Sequence, residues 1–84
     1  MEKEMFEEIK RCCLSVWENY KDRPGDYYKS KVDYVKRITN PQDYYILINM
    51  FDLENQRKLY NKLSLETRDY CMEEFTHMKE YYNI

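Results

Sequence analysis

Residues 39–51 read TNPQDYYILINMF, and whether this run is a helix or a buried strand decides the fold. It contains the most apolar stretch of the chain, YYILINMF. Its β-branched residues keep a buried strand in view, yet alternation is absent. Tyr44, Leu47, Ile48 and Phe51 instead recur at intervals of three and four, and Ile46 and Met50 widen that stripe. The approach has the signature of a helix start: Asn40 as cap, Pro41 at the first helical position and Asp43 at the third. The spacing predicts a helix over 41–51 and makes it the candidate for the centre of the core.

Following this face further would carry Asn55, Lys58 and Lys62 into the core. A second, rotated stripe of Leu53, Gln56, Leu59, Tyr60 and Leu63 begins instead, so a break or kink is expected near Asp52 and a separate helix over 53–62. Upstream, Phe6, Ile9, Cys13, Val16, Trp17 and Tyr20 share one stripe over 2–21, with glutamates at the end where the helix dipole favours them. Pro24 and Gly25 suit the centre of a type II turn, and Asp26 can cap the next helix. Tyr28, Val32, Val35 and Ile38 mark that helix over 27–39. Downstream, Ser64 caps a run in which Cys71, Phe75, Met78 and Tyr82 align, giving a terminal helix over 65–82. Short amphipathic helices joined by tight turns imply an all-α bundle of four or five helices in one domain, 1–84.

Composition bounds the function. In 84 residues there are ten tyrosines, three phenylalanines and one tryptophan, but one glycine and no alanine. A chain of this size buries only about 60% of its unfolded surface, so the core must be dense or shared. Net charge is −2, from 14 basic and 16 acidic side chains. Charge is unevenly spread: residues 23–40 carry five basic and two acidic groups, between acidic ends with four and six over 1–22 and two and five over 64–84. The opening MEKEMFEEIK has no continuous apolar run, and no stretch reaches the roughly 18 apolar residues of a membrane span. The expectation is an intracellular, reducing, cytoplasmic setting without structural disulfides or membrane contact.

Little in the chain resembles catalytic chemistry. Cys12 and Cys13 diverge by about 100° on a helix, and Cys71 and His77 by about 240°, so neither pair can chelate one ion. Cys13 and Cys71 fall on core stripes and read as small hydrophobes. Cys12, at a stripe edge, is the one candidate for reactivity. Adjacent acids such as Glu7–Glu8 and Glu73–Glu74 read as solvated faces, and one glycine leaves no phosphate-cradling loop. Neither an enzyme nor a bound metal or cofactor is expected.

Binding remains. Tyr27, Tyr34, Tyr45, Tyr60, Tyr70 and Tyr81 flank the core stripes and offer wide contact with few rotors to freeze, the pattern of a protein-binding surface. Self-association into a homodimer is one outlet for it and a different protein another. The alternative is a nucleic-acid interface built on Arg23, Lys29, Lys36 and Arg37 with tyrosines between them. Asp26 and Asp33 interrupt that patch, and the overall charge opposes it. The scarcity of alanine, glycine and proline beside many Lys, Tyr, Asn and Ile is what AT-rich coding produces. A viral or mobile-element accessory protein that blocks a host defence or regulatory protein fits this composition.

Overall fold

Five α-helices and three short 3-10 turns make up the computed structural model, which describes residues 1–75. Helix α1 spans Lys3–Trp17 and runs into a 3-10 turn at Glu18–Tyr20. Helix α2 is Tyr27–Arg37, α3 Tyr44–Asn49, α4 Leu53–Lys62 and α5 Leu65–Tyr70. No strand occurs among the described residues, so 39–51 resolves as helix: a 3-10 turn at Pro41–Asp43 leading into α3.

The caps explain where the helices begin. Asn40 accepts from the Gln42 amide at 3.0 Å, Asp52 from Asn55 at 2.9 Å and Ser64 from Thr67 at 3.3 Å. Each satisfies an amide that the first turn leaves unpaired, worth about 1 kcal/mol. The expected break falls at Asp52, whose extended backbone (ψ 174°) separates α3 from α4. Gly25, at φ +78°, takes the left-handed position of its turn. Asp26 does not cap α2 with its side chain; only its carbonyl takes part, accepting from Ser30 at 2.8 Å.

Three expectations need correction. The helix over 65–82 stops at Tyr70: Cys71 leaves helical geometry (ψ 18°) and a 3-10 turn follows over Met72–Phe75. A spacing of four between Cys71 and Phe75 buries both with or without this break, so periodicity cannot detect it. The part of that prediction beyond Phe75 lies outside the described residues. The centre of the core is α1 rather than 41–51. Helix α1 packs on α2, α3 and α4, because its fifteen residues bury Phe6, Ile9, Cys13, Val16 and Trp17 along one face, whereas six-residue α3 buries only Leu47 and Ile48. Glu8 is not simply solvated. Its carboxylate accepts from the Ser64 amide and the Thr67 hydroxyl, both at 2.6 Å, and from the Ser64 hydroxyl at 3.1 Å. It thereby ties the start of α5 to α1, and Thr67, 1% exposed, is satisfied at depth.

Candidate functional site

The flanking tyrosines separate into different neighbourhoods. Tyr44 opens α3 and directs its hydroxyl to Glu74, donating to Oε1 at 3.1 Å. Its ring meets Tyr45 edge-on at 6.4 Å and Tyr70 at 5.8 Å between centroids. Both arrangements suit the aromatic quadrupole. Tyr45 and Tyr70 remain 45% and 48% exposed, so half of each ring faces solvent while its other half is braced. Burial, then the Glu74 hydrogen bond and charge, push the Tyr44 hydroxyl up to about 12. Tyr44 is the pivot of a three-ring patch joining α3 to α5.

Tyr27 belongs to a second aromatic group, where α1 meets α2. Trp17 stacks on Phe51 at 4.6 Å and touches Tyr20 and Tyr27 at 5.5 and 6.1 Å. Two of the chain's own cations cover these rings. The Arg23 guanidinium lies 4.8 Å from Tyr20 and 5.1 Å from Tyr27, and Lys31 Nζ lies 5.5 Å from both Trp17 and Tyr27. Beneath them Asn55 donates to the Tyr20 hydroxyl at 2.7 Å. Asn55 Oδ1 and Trp17 Nε1 are buried with no partner among the described residues.

Tyr34 stands apart on α2, beside an open groove of about 600 Å³ lined by Asp26, Lys29, Ser30, Lys31, Asp33, Arg37 and Met50. Tyr60 is half-buried between Phe75, edge-on at 5.3 Å, and Arg68, 4.8 Å from its ring centre. Arg68 also donates to the Tyr60 and Asn61 carbonyls. Tyr81 and His77 lie outside the described residues. Of the four residues in the basic segment named for nucleic acid, Lys29 and Arg37 share the groove, Arg23 is engaged on tyrosine rings, and Lys36 is exposed outside the groove.

All three cysteines are at least partly buried: Cys13 and Cys71 fully, Cys12 in part. Burial raises the pKa of all three: Cys71 to about 12, Cys13 further, and Cys12 under the added influence of Glu8. Cys12, the candidate for reactivity, is half-buried and donates to the Lys62 carbonyl at 3.7 Å. Among the described residues no three His, Cys, Asp or Glu side chains gather as a metal site would require. No helix among them is long and apolar enough to cross a membrane.

Sequence periodicity assigned Tyr44 and Tyr20 to core stripes and passed over Glu74 and Asn55 as partners. Each hydroxyl is held from another segment of the chain, and no local spacing encodes such a contact. No protein-family model, curated protein or solved structure matches the chain.

Proposed function

We propose that this chain is a non-catalytic protein-interaction module whose contact face is the Tyr44–Tyr45–Tyr70 patch. The observation that carries it is the bracing of two half-exposed tyrosines against a common, hydrogen-bonded third ring. Rings fixed before association lose little conformational entropy when a partner covers them, and tyrosine is enriched where binding energy concentrates. Action is by occupying a partner's surface. The AT-rich composition extends this to an accessory protein of a virus or mobile element, with a host defence or regulatory protein as its target.

The test is affinity capture from lysate of the native host, with and without nuclease, using the wild-type chain, Tyr45→Ala and Tyr70→Ala. A protein retained stoichiometrically in both halves, and lost with either variant, supports the assignment. An anchor of this kind is worth about 2 kcal/mol, roughly thirtyfold in affinity. The same changes cost about 0.5–1.5 kcal/mol of stability for the lost ring contact with Tyr44, so circular dichroism confirms that each variant is folded. Capture that disappears on nuclease treatment, or that survives both substitutions, refutes it. The basic segment supports nucleic-acid binding less well, since Arg23 and Lys31 are spent on aromatic rings and Asp26 and Asp33 share the groove with Lys29 and Arg37.

A further inference from the structure

Helix α2 packs inward through Val35, and its opposite face carries Asp26, Lys29, Ser30, Asp33 and Arg37. At 100° per residue these five occupy an arc of about 100° directed away from Val35. All of them line the open groove, with Tyr34 and Met50 as its apolar part. On this face the charges alternate: negative at Asp26, positive at Lys29, negative at Asp33, positive at Arg37; Lys31, which also lines the groove, is turned onto the Trp17 and Tyr27 rings. Neighbours in this series stand three or four residues apart, where they could pair along the helix. Yet among the described residues they form no ion pair with one another.

Reversal turns this series into its own complement. Laid antiparallel across the same face, with a two-fold axis near residue 31, a second α2 sets its Arg37 against Asp26 and its Asp33 against Lys29. Symmetry repeats both pairs, so two kinds of contact become four. A parallel second helix in register would place every charge against its like. Ser30, whose hydroxyl is folded back on the Tyr27 carbonyl at 3.0 Å, lies beside the axis. It is among the smallest side chains in a sequence without alanine, and it allows two helices to approach where bulk would hold them apart. Tyr34, 41% exposed, and Met50 supply apolar surface at the flank.

We propose that this face docks a second copy of the chain, α2 against α2, through reciprocal Asp26–Arg37 and Lys29–Asp33 pairs. The surface is separate from the tyrosine patch and leaves Tyr45 and Tyr70 free for a different partner.

Sedimentation velocity on the purified chain over a concentration series, at low and high salt, reads it directly. The expected result is a monomer–dimer equilibrium that weakens as salt rises, since exposed pairs are screened. Lys29→Asp and Asp33→Lys each convert two attractive contacts into two repulsive ones and weaken the dimer at least about tenfold. The double variant K29D/D33K restores it. The swap D26K/R37E does the same for the outer pairs and serves if either residue of the first pair proves necessary for folding, which circular dichroism monitors. Monomer at every concentration in low salt overturns the assignment. So does a dimer indifferent to single reversals, a folded double swap that fails to recover, or a dimer lost with Tyr45→Ala and Tyr70→Ala instead.

Discussion

Two aromatic regions of similar make-up differ in what remains available. At the α1–α2 corner, Arg23 and Lys31 lie against the rings of Trp17, Tyr20 and Tyr27, of which Tyr27 stays 39% exposed, and Phe51 stacks on Trp17. At the α3–α5 patch, Tyr44, Tyr45 and Tyr70 have an acid, Glu74, behind them and solvent in front. Cations settle on ring faces, whereas a carboxylate takes a hydroxyl and leaves the ring face open. The two regions therefore differ in the charge beside their rings rather than in tyrosine number.

The sharpest way to break the comparison is Trp17→Ala. A closed, structural corner should lose about 3–5 kcal/mol, a large share of the stability of a small domain, read as a drop in urea midpoint. A loss under about 1 kcal/mol would mean the corner is not the part that holds the bundle.

Next is Glu8→Ala, which removes the acceptor shared by Ser64 and Thr67 and should cost about 1–3 kcal/mol. Hydrogen exchange should quicken in α5, which carries Tyr70, while α1 and α2 keep their protection. Burial raises the Glu8 pKa, but hydrogen bonds from Thr67 and Ser64, with the nearby Arg11 charge, outweigh it and hold the carboxyl below the reference value of 4.5. Because the folded pKa is the lower one, this stabilisation is present above the unfolded value and is lost as pH falls through the folded one. The variant should accordingly lose less stability on acidification than the wild type. An unchanged acid slope would show that the contact does not form in solution.

A smaller effect concerns the open patch itself. Ultraviolet titration should show a component ionising at about 12 that is lost in Tyr44→Phe and moved downward in Glu74→Gln. Here the folded pKa is raised, so the contribution holds below the unfolded value of about 10 and disappears as pH climbs through the folded one. Least of all, Lys31→Gln should cost about 0.5–1 kcal/mol and redden Trp17 fluorescence as water reaches the ring. If it instead created new partner binding at Tyr27, the two regions would differ only in their covering.

The sequence made local features legible and left distant ones hidden. The break at Asp52 was readable because the apolar stripe rotates there, and Asn40 and Ser64 announced their caps by residue type and position. The halt at Tyr70 was not, since a spacing of four suits both an unbroken helix and the bend that occurs. Glu8 looked like any acid on a wet face. Its partners lie 56 and 59 positions away, and no period reports a contact at that range. The tyrosines were recognisable as a class, but Tyr45 meets Tyr70 through Tyr44 only once α3 and α5 are placed together.

The Glu8 contact also orders events during synthesis. A nascent chain that has only reached Lys62 has made every residue of α1, α2, α3 and α4 but neither Ser64 nor Thr67, the hydrogen-bond donors to that carboxylate. Those four helices can collapse on their shared apolar surface as they emerge. Closure of the first helix onto the fifth waits for Ser64 and Thr67 to clear the ribosome. Among these contacts the earliest-made helix is secured by the last-made one, so a ribosome stalled before Ser64 would present a collapsed but unlatched bundle to the cell's chaperones and proteases.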